Sequence, residues 1–382
     1  MKKQSQTIIS LFILLIIATT VSMGMDIFKN DFEKRWEELS SDVQKLNKYT
    51  ATHSAELQKI KVGDKDLTGA IFTGATFSDV EWGGTILEEA KFTKTVFKNC
   101  TFMRSLHWNS IFTDVLFDNC SFHGVEFGGS TMLDVRFKGC KITDSRLKEL
   151  KGNELLIEDT VLEERTSLAW SSIPMTFRRC TLDGVGLSGM KQPNAMTIED
   201  SLLDEVDFGR GYFSDVVLRR VTQGEGPTRF NSAIADTISF EDVDMTRGVS
   251  LAYMTAKSIR ISGGTFRGAT EGATIAKLTA RDATLPLFDM SESQMAFVSI
   301  SNCQMYDIAL WDCFVDEYSV TNSTIDIIRG KNFKADTVVW DNVTLDGKVD
   351  LTNVQVKDFR PTRLKRGPKL QLITTGSNMR FN

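Results

Sequence analysis

Between Leu67 and Leu106 the chain reads LTGAI FTGAT FSDVE WGGTI LEEAK FTKTV FKNCT FMRSL, and the same cadence runs on to Leu147. Every fifth residue is large: Leu67, Phe72, Phe77, Trp82, Leu87, Phe92, Phe97, Phe102, His107, Phe112, Phe117, Phe122, Phe127, Met132, Phe137, Ile142 and Leu147. Ten of the seventeen are Phe, and only His107 departs from the apolar rule. Two residues before most of them stands a small one, such as Ala70, Ala75, Ala90, Cys100 or Ser110, with Lys65 the long exception. A period of five matches neither the 3.6 of an α-helix nor the 2.0 of a strand.

It matches a chain that turns a corner every five residues and returns to the same azimuth after about twenty, pointing one large and one small residue inward from each side. The pattern resembles the pentapeptide-repeat family, whose consensus is a small residue, Asp or Asn, Leu or Phe, and two polar positions. The resemblance implies an all-β solenoid, a right-handed quadrilateral β-helix. The strict repeats cover residues 65–147, and the Asp/Asn position is loosely kept.

A coarser signal continues beyond the pentads. An apolar residue, two polar ones, a small one, one more and an apolar residue recur as Phe97–Phe102, Phe117–Phe122, Phe137–Ile142, Ile157–Leu162 and Phe177–Leu182, and onward to Trp340–Leu345 in steps of 19 to 22. This predicts one solenoid of about 14 coils over residues 65–357. The scarcity of proline, 6 in 382 residues, suits a continuous backbone ladder.

The ends carry different signals. Residues 4–25 are uncharged, follow Lys2 and Lys3, and centre on the apolar run Ile8–Ala18, which predicts either a signal peptide or a retained N-terminal membrane anchor for residues 1–25. Over residues 26–62, Phe32, Trp36, Leu39, Val43, Leu46, Thr50, His53, Leu57 and Ile60 alternate steps of four and three. That spacing predicts a helix that either forms a coiled coil, making a homo-oligomer through residues 32–60, or caps the open end of the β-helix. Residues 358–382 form a basic tail. Arg360, Arg363, Lys365, Arg366 and Lys369 are either a solvated linker or a contact for an anionic envelope polymer or lipid headgroup.

Cys100, Cys120, Cys140 and Cys180 are separated by multiples of twenty, so they share one inward column, with Thr160 at the missing step and Cys303 in the same motif position. Buried free thiols are expected, not disulfides, and no Cys/His spacing suits a metal. At the two polar positions of the motif, successive coils carry Glu158-Asp159, Arg178-Arg179, Glu199-Asp200, Arg219-Arg220 and Glu241-Asp242. Stacked coils bring these into an alternating ladder of ion pairs, while Asn302, Asn322 and Asn342 predict an amide ladder at a corner.

The chemistry of the chain is mostly absence. It has no phosphate loop, nucleophile elbow or His-Glu-x-x-His helix, and its 3 His all lie at or before residue 123. No cofactor or metal is implied, and the chain is expected not to be an enzyme. The enzymatic alternative is a β-helix carbohydrate enzyme using carboxylates drawn from Asp282, Glu292, Asp307, Asp312, Asp316 and Glu317. The same aromatic-rich region, with Tyr306, Trp311, Asp312, Asp316 and Tyr318, is the candidate contact surface.

These features predict a non-catalytic cell-envelope protein, periplasmic, anchored in the inner membrane or secreted, serving as a rigid scaffold or spacer. Its expected contacts are an unidentified protein partner and, through the N-terminus, the membrane. The alternative comes from the resemblance: family members that protect gyrase from quinolones imitate DNA and act in the cytoplasm as end-joined dimers. With 50 acidic against 45 basic residues and an alternating edge, the chain has no continuous acidic stripe to imitate phosphates, and nucleic-acid binding is not expected.

Overall fold

The computed structural model describes residues 30–191 and 194–381. Parallel strands stack one coil upon the next. Thr76–Ser78 pairs with Val96–Lys98, which pairs with Leu116–Asp118, and so on at a register of about twenty through Gln355–Thr362. The solenoid has about 16 turns, which at about 4.8 Å per strand makes a rod about 75 Å long.

The pentads build the first coils as four short sides. In one of them, side one is Ile71–Thr73, side two Thr76–Ser78, side three Glu81–Gly83 and side four the single bridge at Ile86. Each three-residue strand buries its central residue, and that residue is the large member of the pentad. Stacking coils therefore makes columns of rings. Phe77, Phe97, Phe117 and Phe137 lie face to face with centroids 5.0, 4.9 and 4.7 Å apart. Within a coil the rings meet edge-on, as Phe72 and Phe77 do at 5.3 Å and 87°. Each such pair contributes about 0.5–1.5 kcal/mol beyond its burial.

The corners explain why the pentads blur. A chain that turns after three residues needs a left-handed backbone at each corner, as at Gly74, Asp79, Gly84 and Glu89, with φ of 62°, 55°, 64° and 56°. That conformation favours Gly, Asn and Asp. Sides one and two already join in the eight-residue strands Ile111–Asp118 and Thr131–Lys138, which keep a left-handed corner at Asp114 and Asp134; from Tyr212–Arg219 onward that corner is lost, as in Gln294–Ser301. Later coils then keep only two left-handed corners, such as Asn302 at 52° and Asp312 at 51°. Two constrained corners per coil leave a period near twenty in the sequence, where four corners leave a period of five.

Both ends differ from the expectation. Residues 31–60 do not form one long helix. Helix α1 (Asp31–Leu39) carries a capping box between Asn30 and Glu33, and α2 (Val43–Thr50) is capped by Asp42, which accepts from the amides of Gln44 and Lys45. Leu57 lies in the strand Glu56–Gln58, and His53 is exposed. Phe32, Trp36, Leu39 and Leu46 are buried in the core cluster that includes the first coils. Polar bonds hold the helices in place: Asn47 bonds to both Gly69 O and Ile71 N, the Thr50 hydroxyl donates to Ile71 O, and the Gln58 amide donates to Glu33. The cap reading therefore applies. The apolar seam is consumed within the chain, and the coiled-coil route to a homo-oligomer is corrected.

The solenoid also runs further than 65–357, from Glu56 to Ile373. The basic segment is not a tail: Arg360 lies in the strand Gln355–Thr362, and Lys365–Arg366 pairs with Thr344–Leu345. Residues 1–25 lie outside the described residues. Among the described residues no helix is long and apolar enough to cross a membrane.

Candidate functional site: an aromatic corner and its groove

The alternating charges meet as the spacing predicts. Glu158, Arg178, Glu199, Arg219 and Glu241 occupy one register column on side two. Arg219 reaches both neighbours, Glu199 and Glu241, at 2.7 Å. Arg178 lies 3.7 Å from Glu158 and 3.5 Å from Glu199. Glu158, the most buried carboxylate of the column, also pairs with Arg136 of the coil before. The second residues of the doublets sit at the left-handed corner, where Arg179 and Arg220 each hold the Asp of the previous coil at 2.6 Å. Hydrogen bonds from these guanidinium groups hold the carboxyls of Asp159 and Asp200 below the usual range. The amide ladder is present between Asn342 and Asn322 at 2.9 Å, while Asn302 bonds to Asp282. Arginine thus interrupts the acidic positions of this edge every second coil.

The other persistent corner, joining side four to side one, has a different character. Of fourteen large apolar residues that are exposed among the described residues, nine lie on it or on the first residue after it. Trp108, Trp170, Tyr253 and Trp311 stand on the corner itself, and Ile71, Ile111, Tyr212, Ile234 and Phe314 begin the strands of side one. Trp170 and Tyr253 have left-handed backbones, φ 63° and 56°, and their rings cover Gly189 and Gly272 of the following coil. One face of each ring covers backbone, and the side chains remain 48% and 62% exposed.

Beside this corner, side one is hollowed into a groove of about 480 Å³. Its walls are Ile234 and Phe314, and its floor includes Thr274, Ala276, Gln294 and Ala296. Asp236, Lys257 and Asp316 also line it, with Asp236 and Lys257 paired at 2.7 Å. Phe314 is shared with two further depressions towards the C-terminal end, which include Lys334, Gln355 and Asp312.

Of the five residues selected from the sequence, three fall here. Trp311 and Asp312 form the corner, and Asp316 lines the groove. Tyr306 is exposed on the opposite sheet, in Gln304–Ala309. Tyr318 is a core residue at 2% exposure, edge-on to Phe333, and burial pushes its phenol up. Phe314, Ile234 and Tyr253 are not among the residues selected from the sequence, although a signal exists for two of them: Ile234 and Phe314 stand in a column that elsewhere holds Thr, Gln and Lys, while Tyr253 stands on the corner in line with Ser232, Gly272 and Glu292. The six carboxylates considered for glycan chemistry do not share one cleft. Asp282 is at the charged corner, Glu292 and Asp312 at the aromatic corner, and Asp316 and Glu317 on the strand after it. Asp307 lies on the opposite sheet, paired with Arg329, and burial pushes its carboxyl up.

The residues selected for anion contact are mostly engaged. Arg360 pairs with Asp358, Arg363 with Asp341, and Arg366 donates to Phe381 O. All six cysteines are free and buried. Those of the column donate to the carbonyl three residues past one coil back, as Cys180 does to Ile157 O at 3.3 Å. Burial pushes Cys180 up to about 11 and Cys313 up to about 12. His107 stacks on Phe127 at 4.7 Å and bonds Ser105 through Nε2. No group of His, Cys, Asp and Glu among the described residues is arranged to hold a metal.

Stacked parallel coils with four-cornered turns define a quadrilateral β-solenoid. Residues 70–106 match the family model described as pentapeptide repeats, in 8 copies. No curated protein is significantly similar in sequence. Solved structures with a likeness include a trypsin-treated variant of QnrB1, a plasmid-mediated fluoroquinolone resistance protein. It is 14% identical over 40% of this chain and 84% of its own, with a TM-score of 0.25. HetL, a pentapeptide repeat protein involved in heterocyst differentiation regulation from the cyanobacterium Nostoc sp. strain PCC 7120, is 15% identical over 66% of this chain and 92% of its own, with a TM-score of 0.28.

Proposed function

We propose that the chain is a non-catalytic scaffold of the bacterial cell envelope, a rigid rod that is exported or anchored by residues 1–25 and that binds a protein partner along its aromatic corner. The carrying observation is the collection of nine exposed apolar side chains on one corner of a rod whose opposite charged corner is internally paired. Exposed aromatics gathered on one edge mark interaction surfaces better than the same number scattered. Export is supported by the uncharged stretch of residues 4–25 behind two lysines.

Two measurements test this reading. Fractionation of the full-length chain from a Gram-negative host, with the mass of the mature N-terminus, should place it outside the cytoplasm or in the membrane. A photo-crosslinking residue at Phe314 should capture a protein in cells, and one at Met103, exposed elsewhere on the rod, should not. Recovery of an unprocessed soluble cytoplasmic protein overturns the envelope role, and equal capture from both positions overturns the corner as the binding edge.

A further inference from the structure

We propose that the groove on side one is a docking track for an extended, basic segment of a protein partner; the proposal rests on the scaffold reading above. The groove owes its depth to truncation. In its outer column Asp236, Lys257 and Asp316 give way to Ala276 and Ala296 in two consecutive coils, so a floor opens between Ile234 and Phe314. Those walls stand four coils apart, about 19 Å, the length of about six residues of extended chain. The groove is open along its length and runs across the strands, which suits a long, narrow occupant. Thr274 and Gln294 provide hydroxyl and amide groups one coil apart for its backbone.

Charge selects the occupant. Asp316 lines the groove, and Glu271, Glu292 and Asp312 occupy successive coils of the corner bordering it. Among the described residues that line the groove the cation is Lys257, and it is held by Asp236. Tyr253 near one end and Phe314 at the other offer ring faces to ammonium or guanidinium groups, and desolvated contacts of this kind add to carboxylate pairing. Asp316, unpaired among the described residues, and the carboxylates on the bordering corner disfavour a polyanion in the groove. The groove does not fit a second copy either, because this chain's basic segment is folded into its own last coil.

The test is fluorescence anisotropy of the intact protein with a labelled octapeptide alternating lysine and threonine, against its glutamate counterpart. The lysine peptide should bind and weaken steeply with salt, and the glutamate peptide should not bind. Joint Glu292→Gln and Asp316→Asn should weaken binding about tenfold. Ala296→Phe, which fills the floor without changing charge, should weaken it at least as much. Asp183→Asn, on side three among Glu163, Asp204 and Glu205, should leave it unchanged. Circular dichroism melts of each variant check folding. Absence of binding, equal loss with Asp183→Asn, or no loss with Ala296→Phe overturns the track. A protein captured at Phe314 without lysine-peptide binding overturns the basic occupant and leaves the scaffold standing; failure of both removes both.

Discussion

Arg179 grips Asp159 of the preceding coil through two parallel bonds, Nε to Oδ1 at 2.6 Å and Nη2 to Oδ2 at 3.0 Å, across twenty residues of sequence. Arg220 and Asp200 repeat the arrangement at 2.6 and 2.9 Å. The fork geometry is specific to arginine, and both partners are solvent-facing, so each pair is modest in energy but selective in register. A slip by one coil sets like charges against each other over the five coils from Glu158-Asp159 to Glu241-Asp242.

Reversing one rung, Arg179→Glu, should therefore lower the melting temperature by placing a third carboxylate between Asp159 and Asp200. Adding Asp159→Arg should partly restore it. Lys in place of Arg179 should restore less, because it lacks the fork. Equal melting temperatures by circular dichroism for all four proteins would remove the ladder as a structural device. The carboxyls of Asp159, Asp200 and Asp341 are held low by their arginines, so their contribution is present above the ordinary carboxylate range and declines as pH falls through their lowered folded values.

His107 gives a second pH signature. Burial among rings lowers its pKa to about 3 from 6.5. The unfolded chain thus binds a proton that the folded chain refuses, and stability is full above pH 6.5 and lost progressively as pH falls towards 3. The difference corresponds to about 5 kcal/mol at most. His107→Phe with Ser105→Ala, which extends the ring column and removes the hydroxyl partner, should flatten urea-denaturation stability over that interval relative to the wild type. An unchanged slope would show that the carboxylates alone carry the acid sensitivity.

The ring columns are the main source of cohesion in the first coils. Phe117 touches rings in its own coil and in both neighbours, at 4.9 Å from Phe97 and 4.7 Å from Phe137. Phe117→Ala should cost about 3–5 kcal/mol through lost burial and a residual cavity. Phe117→Asp should abolish protease resistance of these coils, since an unpaired charge would face aromatic rings on every side. Wild-type behaviour of the aspartate variant in limited proteolysis would contradict the observed packing.

Thiol chemistry offers a simple check on the inward column. All six cysteines are buried; burial raises Cys180, Cys303 and Cys313, and Cys120 is raised first by hydrogen bonding to the Cys100 and Cys140 thiols and then by burial. Ellman's reagent at pH 8 should find almost no thiol in the folded protein and six after denaturation without reductant. Fewer than six would reveal disulfides that the parallel column does not contain.

Legibility followed the backbone's demands. Where four left-handed corners recur in each coil, as from Gly74 to Glu89, the residue at nearly every position is constrained and the repeat is visible by inspection. The charge ladder was equally legible, because parallel stacking at twenty residues converts sequence distance directly into contact. The helix was read too long, since spacing alone does not distinguish a seam facing another chain from one facing this chain's own coils. The basic segment was read as a tail because Pro361 and Gly367 resemble linker residues, although both fit within the last coil.

By itself the sequence determined the architecture, the inward columns and the ion-pair edge. All three depend on periodicity, and in a solenoid each residue's neighbours lie one period away. Only the tertiary structure decided where the rod begins and ends, which apolar residues are exposed, and that Phe314, Asp316 and Asp312 gather at one corner while Tyr306 and Tyr318 do not. Those outcomes depend on which side of the coil a residue faces and on how far neighbouring side chains project, and side-chain length in adjacent coils is a property of the surface that no period encodes.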